Sequence, residues 1–223
     1  MTVEEAKALF FIYKELWKDK RAYVGSLVAA STGARQGECL ALRRSDIGEH
    51  TMNIAHSYSL IDGLKCPKNG ETRNVPLLPI VRYALLDLLE SNPHNTADPY
   101  VFYSLQPDKP CDNKILLMGL KEAIEAVNKK YLAAAEEAKL EKPEIAIDRK
   151  GRNIAFHSWR HFFCSKSTQK ISGEKVAKVS GHLSEAVFKK YADHIEDDNV
   201  REVGNAIAEV FQNIIPFPLK QAV

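Results

Sequence analysis

Gly181-His182-Leu183-Ser184-Glu185-Ala186-Val187-Phe188-Lys189-Lys190-Tyr191 ends on a phenol nine residues after an imidazole. Gly181 stops the preceding helix, and Ser184 is a candidate N-cap for a helix through Ala192. A turn at Leu183-Ser184 would fold that helix back and bring Tyr191 towards His182. Upstream, His157-Ser158-Trp159-Arg160-His161 sets an imidazole and a guanidinium three residues apart, on one face of a helix. Further back, Thr32-Gly33-Ala34-Arg35-Gln36-Gly37-Glu38 follows the apolar stretch Tyr23–Ala30, and its first glycine permits a sharp turn. A short helix over Gln36–Leu42 would return Glu38 to Arg35, one turn on.

Two permanent cations, two imidazoles and a phenol suit attack by a tyrosine on a phosphodiester, with no metal and no other cofactor. A phenol has a pKa of ~10, so about one in a thousand is ionised at neutral pH without help. An adjacent imidazole can take its proton, a contribution of ~10²–10⁴ in rate. Arginine stays charged and offers a planar fork that fits two phosphate oxygens. Two such forks around a five-coordinate phosphorus supply preorganised electrostatic stabilisation. Singly, each motif has a plain reading: a helix surface, a helix stop, a cap or a half-buried aromatic. Their joint occurrence in this order carries the weight.

Composition agrees. Of 223 residues, 45% are hydrophobic and 27% charged, ordinary for one soluble globular core. No apolar run approaches the ~20 residues that cross a bilayer, and the N-terminus lacks the form of a secretory signal. Cys39, Cys66, Cys111 and Cys164 are scattered, with no Cys-x-x-Cys pair, which argues against zinc or a disulfide framework and for a reducing cytoplasm. The net charge of +2 is weak support for a nucleic-acid partner, but basic residues cluster at Arg43/Arg44, Lys65/Lys68/Arg73, Arg149/Lys150/Arg152 and Lys189/Lys190. Arg43, Arg44, Lys65, Arg73, Arg149, Lys150 and Arg152 are therefore candidate DNA contacts.

The remaining chain reads as mostly α with a small antiparallel sheet. Thr2 with Glu5 forms a capping box for a leading helix carrying Ala6, Leu9, Phe10, Tyr13 and Trp17. Thr51–Ser59 and Arg73–Leu77 read as strands of a hairpin turning at Asn69-Gly70, with Lys68 beside its tip. Pro79 introduces a helix through Leu89, and Pro99–Tyr103 is a short strand or a buried connection. Lys114–Leu140 is one helix, or two around Asn128-Lys129-Lys130. A polar loop over Glu141–Asn153 leads to helices at His157–Lys166 and Glu174–Val179, then to an amphipathic helix over Asn199–Ile214.

This set of motifs resembles the catalytic domain of the tyrosine recombinase (phage integrase) family. Thr32–Glu38, continued by Leu42 and Asp46-Ile47, resembles the family's first box. Pro67-Lys68-Asn69-Gly70 with Arg73–Leu77 resembles its lysine hairpin, although Asn69 stands where related sequences often have threonine. His157–His161 and Gly181–Tyr191 resemble its second and third boxes. The match spans Val24 to Tyr191.

The resemblance implies an α+β fold, a site-specific DNA recombinase or integrase, and cleavage through a 3′-phosphotyrosyl link. It implies Tyr191 as nucleophile, Arg35 and Arg160 as phosphate clamp, and His157 as acceptor or relay of the phenol's proton. His182 would bond a phosphate oxygen, Lys68 would protonate the leaving hydroxyl, and Glu38 would brace the site. Lys65 is the rival to Lys68, because hairpin register is open at this point. Double-stranded DNA is the expected partner, with self-association on DNA into a tetrameric synapse, no membrane, and a cytoplasmic, nucleoid-associated setting. The runner-up readings are a type IB topoisomerase-like relaxation and a non-catalytic DNA-binding module. A single catalytic domain is expected over 1–223, with a leading helix over 1–22, a core over 23–195 and a C-terminal helix and tail over 196–223. The family's separate N-terminal core-binding domain is expected to be absent, and the last helix is expected to pack on its own core or to dock onto a neighbouring protomer.

Overall fold

The computed structural model describes residues 1–67, 70, 72–139, 147–181 and 197–216. At its centre lies α2 (Lys20–Thr32), buried without interruption from Val24 to Thr32. A helix apolar on every side belongs inside a core, and α2 is packed by helices around it. Asp19 caps its start by accepting the Arg21 N–H at 2.9 Å. Gly33 ends it in the left-handed region at φ +71, its N–H donating to Ala29 O at 3.0 Å. A Cβ at Gly33 would stand 2.6 Å from the Phe163 ring, so the turn is tight as well as left-handed.

The leading helix is shorter than the sequence suggests. The Thr2–Glu5 capping box is present, but α1 covers only Val3–Lys7. A wide π turn over Ala8–Ile12 follows, in which the Tyr13 N–H reaches Ala8 O at 2.9 Å. That shift frees Leu9 O to accept the buried Trp17 indole N–H at 2.8 Å, and Phe10 lies against Trp159 with centroids 4.7 Å apart. Tertiary packing of the aromatics thus overrides a simple 3.6-residue repeat.

After α3 (Gln36–Ala41), two small antiparallel pairs replace the single expected hairpin. The stretch expected as one strand breaks after Ile54 into β1 (Thr51–Ile54) and β2 (Ser57–Ser59). β2 turns through residues 60–62 into β3 (Gly63–Lys65), so the inner hairpin reverses earlier than Asn69-Gly70. β1 pairs with β4 (Arg73–Pro76) in the register Thr51↔Pro76, Met52↔Val75, Asn53↔Asn74 and Ile54↔Arg73. Gly70 does sit at φ +74, and its N–H donates to Pro67 O at 2.8 Å. Lys68 and Asn69 lie outside the described residues.

α4 (Pro79–Glu90) begins on its proline, where a missing N–H costs nothing. Pro99–Tyr103 is a buried connection: Tyr100, Val101 and Phe102 are buried, and isolated bridges at Tyr100 and Tyr103, rather than a strand ladder, link its backbone to Arg43 and Pro110. α5 (Asn113–Glu137) is one continuous helix whose stripe Leu116, Leu120, Ala123, Ile124 and Val127 is buried where it packs on α2. Asn128 does not divide it. Its amide instead exchanges two 2.9 Å hydrogen bonds with the backbone of Ile147, pinning the returning chain.

α6 (Ser158–Ser167), α7 (Gly173–Ser180) and α8 (Asp197–Gln212) complete the fold. α8 packs on β4, α6 and α7, and Val203, Ile207, Phe211 and Ile214 are buried in the common core. Its apolar stripe is therefore used within the chain. Burying each such side chain contributes about 1.5–3 kcal/mol. The helix expected from Ser184 to Ala192 lies outside the described residues.

Candidate active site

The tight turn at Gly33 delivers Arg35 to the first position before α3, where its backbone N–H donates to Glu38 Oε2 at 2.8 Å. Its side chain folds over the same carboxylate, with Nη1 at 2.8 Å from Glu38 Oε1. Nη2 reaches across the molecule to Gly181 O at 2.9 Å. The first and third motifs, 146 residues apart, are thereby in direct contact. The Arg35 side chain remains 24% exposed, so a ligand can reach it.

Glu38 is 1% exposed and also meets Arg73, which approaches with Nη1 at 3.1 Å and Nη2 at 2.7 Å. Burial by itself would raise the Glu38 pKa. The Arg73 hydrogen bonds and charge, then the Arg35 N–H and charge, more than offset that and hold the carboxyl below its ordinary value.

The second motif arrives on α6, packed against α2. Trp159 anchors the helix start in the core, leaving His157 largely exposed with only part of its imidazole shielded from water, and turning Arg160 inward. Arg160 is 1% exposed and donates Nη1–H to Gly33 O at 2.7 Å, tying its guanidinium to the turn that carries Arg35. Burial, and then the charge of Arg35, pull its pKa down to about 10, which leaves it a cation at neutral pH. Three guanidiniums against one carboxylate give this pocket an excess of positive charge.

His157 stands beside that excess. Partial burial first, then His161, Arg160 and Arg35, lower its imidazole pKa below the ordinary value of 6.5. At neutral pH it is therefore mostly unprotonated and able to accept a proton. His161, one turn along α6, meets it edge to face with ring centroids 4.9 Å apart. The sequence reading gave His161 no role, although its spacing of four from His157 was the available signal.

Arg35, Glu38, His157 and Arg160 are thus brought together by the turn after α2 and the start of α6. Lys68, His182 and Tyr191 lie outside the described residues. Of the candidate DNA contacts, Arg73 is turned inward. Arg43 is half-buried, stacked 4.1 Å over the Tyr100 ring and bonded to Asp98 O at 2.9 Å. Arg152 pairs with Glu5, and exposed Lys65 pairs with Asp62 beside the β2–β3 turn. Arg44 and Lys150 are exposed, and Arg149 is partly so. None of the four cysteines is in a disulfide among the described residues; burial pushes Cys111 up to about 12 and Cys39 further still, so neither offers a thiolate. Among the described residues no cluster of His, Cys, Asp and Glu could hold a metal ion, and no helix is long and apolar enough to cross a membrane.

A mostly helical α+β domain with small antiparallel sheets is the fold of tyrosine recombinase catalytic domains. The profile of the Phage integrase family matches residues 1–197, and the chain belongs to that family. Its fold is similar to that of the Tn1549 transposon integrase solved with transposon right-end DNA (TM-score 0.58, 17% identity, 92% of this chain and 64% of that one). It is also similar to the XerA recombinase (TM-score 0.54, 21% identity, 98% of this chain and 66% of that one). The Tn1549 integrase with circular intermediate DNA gives a TM-score of 0.52 at 18% identity, over 85% of this chain and 61% of that one. At these identities the likeness concerns the fold. The chain spans a little under two thirds of the length of these structures. No curated protein matches it in sequence.

Proposed function

We propose that this chain cleaves and rejoins DNA strands as the catalytic domain of a site-specific recombinase or integrase. The observation that carries this reading is the convergence of Arg35 and Arg160 on the Gly33 turn beside His157, whose imidazole pKa is lowered by its partial burial and by the charges around it. Membership of the phage integrase family supports it.

In this mechanism the Tyr191 oxygen attacks the scissile phosphorus while its proton passes to His157. A 3′-phosphotyrosyl bond forms, the bond from phosphorus to the 5′ oxygen breaks, and Lys68 protonates the departing 5′-hydroxyl. Arg35 presents the accessible guanidinium to the phosphate, and Arg160 adds positive potential from beneath it. His182 bonds a non-bridging oxygen. The covalent link keeps the energy of the broken bond, so the hydroxyl of another strand can reverse the steps without ATP. Double-stranded DNA is the substrate, copies of the chain associate on it, and the working place is the cytoplasm where that DNA lies.

A duplex nicked next to the cleavage point traps the intermediate, because the short 5′-hydroxyl fragment diffuses away. The wild-type chain is expected to give a protein–DNA adduct that survives denaturation, and Tyr191→Phe none. Adduct from both proteins would remove Tyr191 as nucleophile. Adduct from neither would overturn the cleavage reading.

A further inference from the structure

Arg73 opens β4 and makes three contacts inside the chain. Two go to the Glu38 carboxylate, and Nε donates to Val179 O at 2.9 Å, near the end of α7. Two residues later Gly181 O accepts from Arg35 Nη2, and Arg35 Nη1 returns to Glu38. The path from Glu38 through Arg73, α7 and Arg35 back to Glu38 is a closed ring. Its members come from α3, β4, the end of α7 and the residue just before His182.

We propose that Arg73 is a positioning residue that sets both the aim of Arg35 and the point from which the chain leaves Gly181. Neutralising Glu38 would not require this arrangement. Arg35 already pairs with that carboxylate, whereas the Arg73 Nε bond to a carbonyl of α7 does nothing for charge balance and everything for location. The planar fork spans the carboxylate and the carbonyl at once, which the single ammonium of a lysine cannot reproduce. With only 10% of its side chain exposed, Arg73 is badly placed for a DNA phosphate. Gly181 fits the same account. It sits at φ +70, and a Cβ there would stand 3.2 Å from the Arg73 Cζ, so the chain passes directly over the guanidinium.

The inference rests on the cleavage reading above, and the test separates the two. Wild type, Arg73→Lys and Arg73→Ala are compared for thermal melting, for affinity and salt dependence on uncleaved duplex, and for the single-turnover rate of adduct formation at saturating protein. A brace predicts binding within about twofold and an unchanged salt slope, because no phosphate contact is lost. It also predicts an adduct rate lower by on the order of 100-fold, the cost of misplaced reacting groups. Added guanidinium ion should restore part of the rate to Arg73→Ala by refilling the site. Weaker binding with a salt slope reduced by about one, and an unchanged rate once bound, would make Arg73 a phosphate contact and overturn the proposal. Undiminished rates in both variants, or loss of folding in both, would also overturn it. Absence of adduct from wild type would instead defeat the cleavage reading on which it stands.

Discussion

In the proposed mechanism, protonation of His157 decides whether the site can activate a phenol. Its imidazole is partly buried and faces His161 on its own helix, with the guanidiniums of Arg160 and Arg35 beside it, so its folded pKa lies below 6.5. As the proton acceptor it is competent above that lowered pKa and loses function as the pH falls through it. Single-turnover adduct formation should therefore be level near neutrality and fall on an acidic limb centred below pH 6.5. The His157→Gln variant should lose the limb together with about 10²–10⁴ of the rate. Rates that drop already between pH 8 and 7 in wild type would assign the proton to another group. The partnership of Arg35 with Glu38 was readable from spacing alone, since three residues on a helix place the two on one face. The inward turn of Arg73 was not, because its partner carboxylate lies 35 residues away and its chemistry as a free cation suggests DNA just as well.

At the scale of elements, the Glu38 carboxylate joins α3 to β4. Its folded pKa is below the ordinary 4.5, so the stability it contributes is complete above that value and is lost as the pH falls through the folded pKa. Glu38→Gln at pH 7 leaves two guanidiniums without their shared anion, and breaking a buried pair costs about 3–5 kcal/mol. For a chain of this size that is a drop in Tm of roughly 6–20 °C, at about 2–4 °C for each kcal/mol. Thermal melts of the two proteins should converge as the buffer is taken from pH 4.5 down through the lowered pKa of Glu38. Equal melting temperatures at pH 7 would remove the ion pair as a link between these elements. The helices were largely legible, because α2, α4, α5 and α8 carry their burial pattern locally, and Asp19, Pro79 and Asp112 mark the starts of the first three. The leading helix and the strands were not. Trp17 draws on a carbonyl exposed only by a π turn, and β2 finds its partner across a three-residue reversal that carries no glycine pair.

Across the whole molecule, DNA recognition should be dominated by charge. The net charge is only +2, so attraction to a polyanion depends on local clusters such as the Arg35–Arg160 pocket and exposed Arg44 and Lys150. A protein touching six to ten phosphates loses about 10³–10⁵ in affinity between 50 and 200 mM salt. Fluorescence anisotropy of a labelled duplex should show a loss of that order for this chain. A change of less than tenfold would mean that few backbone contacts hold the complex. The fold class was visible from sequence because the three boxes are separated by recognisable helices. The fate of α8 became clear only when its stripe was seen filling the space between β4, α6 and α7.

The pairing of β1 with β4 has one more implication. Ile54 faces Arg73 and Met52 faces Val75, while Asn53 and Asn74 share the opposite side. Side chains alternate along a strand, so sliding β4 by one position would present an asparagine where the guanidinium belongs. A change of length between β3 and β4 would leave Arg73 in its place, provided it is absorbed before the ladder begins. Parity within four residues, rather than loop length, is what keeps the Arg73 guanidinium on the side of Glu38.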